Sequence, residues 1–194
     1  MVLKPDREGL TRAAQLLRGG GVVAFPTDTV YGLGADASDE LAQKRIFAIK
    51  GRPVGMPLIL MAAAESQLEG WVHLDSRAEA IMRRWWPGPL TLILHAMAGV
   101  TLGVRIPRHE VALELLRASG PLMTTSANLH GKEPAMTAEE AGDLPGLTAI
   151  VDGGRAPGGT PSTVLDLTGP EPHILREGAI PAHELLGPPP PRAG

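Results

Sequence analysis

Residues 22–36 read VVAFPTDTVYGLGAD. Val22 to Phe25 form an unbroken apolar run of strand length that Pro26 closes, the pattern of a buried strand. Upstream, Asp6 is placed to cap a helix over about 7–18 whose one face carries Leu10, Ala13, Ala14 and Leu17, and Gly19-Gly20-Gly21 stops it. Downstream, Ser38 suits the cap of a second helix, with Asp39 and Glu40 at its positive end, running toward Ile49 and stopping before Pro53. Further short apolar runs predict strands at 57–61, 90–94, 103–106, 121–124, 148–151, 163–167 and 173–175. Helices are predicted from Asp75 through Met82 toward Trp85, and over 109–118 with Val111, Leu115 and Leu116 inward. Thr137 with Glu140 has the spacing of a capping box. Helices and strands mix without strict alternation and strands crowd the end, so the expected fold is α/β: a single domain with a twisted, mostly mixed open sheet flanked by helices.

The 194 residues suit one domain, burying roughly 70% of the unfolded surface. The chain has no cysteine, which excludes disulfides, thiolate nucleophiles and zinc–sulfur sites. A net charge of −3 and 3% aromatic residues argue against a protein dedicated to coating nucleic acid or stacking its bases. Met1 to Leu10 hold no signal-like apolar core, and no run reaches the ~18 apolar residues of a membrane helix. The expectation is a cytoplasmic protein without membrane contact. Residues 1–187 are expected to form one domain, and 188–194, within the run GPPPPRAG, a stiff proline-rich tail.

Several common chemistries have no motif. No GxxxxGK[ST] loop is present, and Gly32-Leu33-Gly34 lacks the third glycine of the dinucleotide fingerprint. There is no GxSxG elbow, and His73, His95, His109, His130, His173 and His183 show no metal-ligand spacing. What remains is a set of polar and cationic segments at strand ends, where open α/β sheets place ligands. Pro26-Thr27-Asp28-Thr29 offers hydroxyls and amides to a small zwitterion, or equally satisfies its own turn. Lys50-Gly51-Arg52-Pro53 carries two cations at a helix end, suited to phosphate or carboxylate, though such cations commonly serve the helix dipole. Arg105, inside the apolar segment Gly103-Val104-Arg105-Ile106, needs an anionic partner, either ligand or protein carboxylate. Thr124-Thr125-Ser126-Ala127-Asn128, Pro161-Ser162-Thr163-Val164 and Leu175-Arg176-Glu177-Gly178 complete the set.

Taken in order, PTDTVYGLGADA, KGRP with PLI, VRIP, TSAN, STV and LREG closely resemble the YrdC/TsaC family of threonylcarbamoyl-AMP synthases, over about residues 9–180. The resemblance implies a twisted α/β sheet with a concave basic groove. It implies an enzyme, a nucleotidyltransferase, that makes threonylcarbamoyl-AMP and pyrophosphate from ATP, L-threonine and bicarbonate or CO2, for tRNA modification. By motif position, Lys50 and Arg52 are the expected catalytic cations. ATP binding falls to Lys50, Arg52, Met56, Thr101, Ser126, Asn128 and Arg176, and L-threonine binding to Thr29, Arg105, Thr124 and Ser162. Mg2+ would arrive with ATP, with no dedicated protein metal site, and a separate threonylcarbamoyl transferase complex would take the product to tRNA. Lys50→Ala and Arg52→Ala are expected to reduce turnover with folding intact.

The chain also departs from the family pattern. Met61 stands where the family often has a histidine near the amino-acid site, Thr124-Thr125 where Ala-Pro is common, and Val54-Gly55-Met56 where another polar residue often follows KGRP. With the proline-rich end, the resemblance implies the short, single-domain form as the expectation. Two other readings remain at this level: a module binding tRNA or double-stranded RNA, and a same-fold paralogue with a different carbamoylation-type reaction.

Overall fold

Asp6 accepts a hydrogen bond from the Gly9 amide at 2.9 Å and so starts the first helix, α1 (Arg7–Arg18). In the computed structural model, residues 1–51, 53 and 55–186 are described. Arg52 and the expected tail at 188–194 lie outside them. A two-residue strand β1 (Val2–Leu3) precedes α1, and β2 (Val23–Phe25) follows it. The next strand, β3 (Gly32–Asp36), carries the two glycines of the opening motif.

The second helix, α2 (Glu40–Lys50), is capped by Asp39 rather than Ser38. The Asp39 carboxylate takes the Leu41 and Ala42 amides, whereas the Ser38 amide is spent on Asp36. Gly51 ends α2 at φ 61°, a left-handed conformation that favours glycine. Then come β4 (Ile59–Met61), α3 (Ser76–Trp85), β5 (Leu90–His95), β6 (Thr101–Arg105), α4 (Glu110–Ser119) and β7 (Leu122–Ser126). The chain continues through α5 (Ala138–Gly142), β8 (Ala149–Val151), β9 (Thr163–Asp166), β10 (His173–Arg176) and α6 (Ala182–Leu185). Thr137 caps α5 through the Glu140 amide, but the Glu140 carboxylate returns to the Met136 amide, one residue before the position a capping box uses.

The strands form one sheet in the order β1-β8-β2-β3-β7-β4-β6-β5-β9-β10. It is mixed: β2 with β8, β4 with β6 and β5 with β9 run parallel, while β2–β3–β7–β4 and β5–β6 run antiparallel. Strand alternation divides the core between the two faces. Val23 and Phe25 face α1 and α4, packing with Leu10, Leu17, Leu115 and Leu116. Val22 and Ala24 face the other way, toward Ile46 and Ile49 of α2. A third cluster gathers Leu60, Leu90, Leu92 and Val104 under Met82 of α3. Each fully buried leucine contributes about 1.5–3 kcal/mol relative to exposure.

Glycine is required within β3 for space. A Cβ on Gly34 would stand 2.9 Å from the Phe25 ring and 3.0 Å from Leu122 Cδ1. With no side chain there, β3 lies flat between β2 and β7, and its register puts Gly32 opposite Ser126 and Gly34 opposite Thr124. Thus the loop after β2 and the end of β7 meet on one side of the sheet.

Candidate functional site

The buried polar residues among those described are Thr27, Thr29, Lys50, Thr91, Arg105, Thr124, Ser162 and Thr163. Burying such groups costs free energy unless each is paired, so their gathering needs a reason. Thr27, Thr29, Arg105, Thr124 and Ser162, joined by Ser126 and the more exposed Arg176, line one cavity of about 270 Å³. Met61, Ile59, Val30 and Pro57 form its apolar wall.

Arg105 ends β6, where the apolar strand delivers it 4% exposed. Its guanidinium is held on three sides. Nη2 donates to Asp28 Oδ1 at 2.6 Å, Nη1 to Thr29 Oγ1 at 3.1 Å, and Nε to the Gly88 carbonyl at 3.1 Å. Burial pushes Arg105 below its ordinary value, Asp28 opposes this, and the nearby Arg176 adds to it. Burial likewise lowers Arg176. Arg176, on the edge strand β10, donates through Nη2 to the Ser162 carbonyl at 2.9 Å. Ser162 Oγ lies 2.9 Å from Thr91 Oγ1.

The hydroxyl protons can be placed. Thr27 Oγ1 donates to the Val30 carbonyl at 2.7 Å, so the 3.0 Å contact with Thr29 is made by the Thr29 proton. Thr29 also accepts from Arg105, which leaves it one lone pair and no proton for a ligand. Thr124 Oγ1 donates to the Ile59 carbonyl at 2.9 Å, so it too offers only acceptor capacity. The cavity therefore sets guanidinium donors against hydroxyl acceptors, a polarity that fits an amino acid, with carboxylate toward arginine and amine toward threonine.

Beside this cavity lies a wider cleft of about 830 Å³, bordered by Asn128, Lys132, Pro134 and Arg155. The Ser126-Ala127-Asn128 turn separates the two and is built on Lys50. Lys50 is 3% exposed, and its ammonium donates to Ser126 O (2.6 Å), Asn128 O (2.8 Å) and Asn128 Oδ1 (3.1 Å). Ser126 Oγ closes the turn on Asn128 Oδ1 at 2.5 Å. Asn128 Nδ2 reaches on to the Leu129 and Lys132 carbonyls. Lys50 thus has a structural task, and the expectation that its removal leaves folding intact does not fit this geometry.

The structure brings together Thr29, Arg105, Thr124, Ser162, Ser126 and Arg176 around the cavity, with Lys50 and Asn128 at its border. Met56 is 37% exposed, and Arg52 lies outside the described residues. Thr101 does not line the cavity. It shares a face of β6 with Arg105, four residues away, about 13 Å along the strand. Met61 fills the usual histidine position with an apolar wall, 5% exposed. Sequence reading gave no role to Asp28 beyond its turn, and none to Thr91 or Tyr31. The one signal for Asp28 was the need of a buried Arg105 for an anion.

Known proteins share this fold. The Sua5/YciO/YrdC family model, described as telomere recombination, matches residues 15–178. The chain is 45% identical over 186 residues to the threonylcarbamoyl-AMP synthase of Pyrococcus abyssi and 45% identical over 190 residues to that of Bacillus subtilis. These alignments cover 89% and 91% of the chain, which spans about half, 55%, of the length of each relative. The crystal structure of P. abyssi Sua5 complexed with L-threonine superposes with a TM-score of 0.91 at 39% identity, covering 96% of this chain and 61% of that one. With the family model matched across most of its length and the fold shared with Sua5, the chain belongs to the Sua5/YciO/YrdC family.

Proposed function

We propose that the chain is an L-threonylcarbamoyl-AMP synthase. The observation that carries the reading is the convergence of the buried polar side chains on one cavity whose donors and acceptors match an amino acid. The relatives named threonylcarbamoyl-AMP synthase and the Sua5 complex with L-threonine support the substrate, and favour an enzyme over an RNA-binding module.

The volume divides the substrates. About 270 Å³ lies below the roughly 300–1,000 Å³ of clefts that enclose drug-sized ligands, so the cavity holds threonine but not ATP as well. The nucleotide then extends outward past Ser126 and Asn128, with Arg176 and Lys50 supplying positive charge at the junction, and the family motifs imply ATP roles for Arg52, Met56 and Thr101 as well. Threonine's carboxylate meets the N–H groups of Arg105 that the protein leaves unused. Its amine lies toward Thr29 and Thr124, with Ser162 closing the pocket.

The neutral amine attacks CO2, forming the N–C bond of N-carboxy-threonine with loss of a proton. A carboxylate oxygen of that group attacks the α-phosphorus of ATP, the bond to the bridging oxygen breaks, and pyrophosphate leaves. No protein nucleophile takes part, so catalysis consists of positioning and charge stabilisation. Magnesium would come as part of the ATP substrate and offset phosphate charge. Among the described residues, no group of three or more His, Asp or Glu side chains is able to hold it. The product passes to a separate transferase complex acting on tRNA. No helix among the described residues is long and apolar enough to cross a membrane.

The test is mass spectrometry of purified protein with ATP, magnesium, L-threonine and labelled bicarbonate. Labelled threonylcarbamoyl-AMP with threonine-dependent pyrophosphate release is expected. A folded protein that binds ATP yet yields neither would overturn the reading.

A further inference from the structure

Asp28 lies behind the cavity and does not line it. Its side chain is 10% exposed, and Oδ1 holds Arg105 Nη2 at 2.6 Å. Oδ2 is buried and accepts no hydrogen bond, and close by His109 Nδ1 is buried and likewise unpartnered. A carboxylate kept only to neutralise a buried arginine would gain most by engaging two guanidinium nitrogens side by side. Asp28 engages one, leaving the other to Thr29 and its own second oxygen unused. The arrangement therefore favours the guanidinium's orientation over the pair's own stability. Thr29 and Gly88 fix the remaining edge, so the unused N–H groups of Nη1 and Nη2 stay available to an anion in the cavity.

Charge points the same way. Arg176 disfavours the charged form of Arg105, and Asp28 is the carboxylate that offsets this at Arg105. Without it, Arg105 would face Arg176 uncompensated, and Nη2 would lose its protein acceptor while Thr29 and Gly88 still held Nη1 and Nε.

We propose that Asp28 is the positioning residue of the amino-acid site: it sets the direction and charge of Arg105 for the substrate carboxylate, without touching substrate itself. This rests on the assignment of the cavity to L-threonine. Because Asp28 acts on Arg105 and not on the phosphates, its removal changes amino-acid use and spares nucleotide use.

The experiment is calorimetric titration of L-threonine and, separately, of ATP into the whole protein and into Asp28→Asn, together with KM for each substrate in pyrophosphate release. Asp28→Asn keeps the shape and loses the charge. Its threonine Kd and KM should rise about tenfold or more, with ATP constants within twofold of the parent. Asp28→Glu keeps the charge one methylene out of place and should show a smaller rise on threonine alone. It also supplies the measurement should Asp28→Asn not fold. Equal threonine binding in parent and variant, or an equal loss for threonine and ATP, would overturn the proposal. A parent protein that binds no threonine would overturn the cavity's assignment and this inference with it. Threonine binding without turnover in the parent would count against the synthase reading alone.

Discussion

The Lys50 ammonium grips Asn128 at two points, the main-chain oxygen at 2.8 Å and Oδ1 at 3.1 Å, and so ties the end of α2 to the turn after β7. Its third bond, to Ser126 O, spans the same turn. Lysine serves here as a three-pronged donor on a flexible stem, a role that arginine's planar fork does not reproduce.

Lys50→Met keeps the stem and removes the donors. The Asn128 carbonyl then loses its Lys50 bond, and Ser126 O and Asn128 Oδ1 each keep only their other donor, so stability should fall by about 1–3 kcal/mol. Ser126 and Asn128 lose their support, so ATP KM should rise as well. Lys50→Arg should not restore either quantity. Denaturant melts and initial-rate kinetics on the two variants check this. A variant of parental stability with an unchanged ATP KM would show that the turn stands without Lys50.

Arg105→Met strands Asp28, whose carboxylate then sits buried with no cation beside it. Breaking a buried pair on one side costs about 3–5 kcal/mol, so the melting temperature should drop by roughly 10 °C. Threonine binding should be lost. Arg105→Lys should recover much of the stability and little of the binding, because one ammonium does not meet Asp28, Thr29 and a substrate carboxylate at once. Calorimetry alongside thermal melts separates the two effects.

Where the sequence speaks through local rules, the fold is legible. The apolar run ending at Phe25, the Asp6 and Asp75 caps, and the apolar face of α1 each predict an element that the structure contains. β3 is hidden for a physical reason. Its glycines mark it as a turn, yet they are there because Phe25 and Leu122 occupy the space a Cβ would need. That information lies in the tertiary packing, and so does the position of the second helix cap, where Asp36 claims the Ser38 amide and leaves Asp39 free to cap. The site was legible as a set of motifs, but not the protein-internal bonds that use up Lys50. Nor was Asp28 identified as the anion that Arg105 requires, although it stands in the first motif quoted.

Gly158 closes the loop over Thr29. A Cβ there would come 2.7 Å from the Asp28 carbonyl and 2.9 Å from Thr29 Cα, while the Gly159 amide already holds the Thr29 carbonyl at 2.7 Å. Gly158→Ala must push this backbone off Thr29, and Thr29 in turn holds Arg105. Threonine KM should rise several-fold with a smaller change for ATP. Gly154→Ala, with open space at its Cβ but φ at 79°, should instead lower stability by about 1 kcal/mol and leave threonine KM alone. Equal effects of the two substitutions on threonine KM would dissociate the loop from the site.

His109 sets a pH dependence. Burial lowers its value below the ordinary 6.5, with Asp28 and Glu110 pulling the other way. In the unfolded chain the imidazole takes up a proton near 6.5, while in the folded protein it does so only at lower pH. Between those two values the unfolded state binds more protons, so stability rises with pH across that window. The contribution is complete above the unfolded value and declines as pH falls through it, levelling off below the folded value. Urea midpoints measured from pH 7.5 down to 5 should therefore fall, and His109→Asn, which has no titrating ring, should lose part of that slope while staying close to the parent at pH 7.5. Parallel curves for the two proteins would mean that His109 reaches solvent freely on protonation and that its unpartnered Nδ1 carries no penalty.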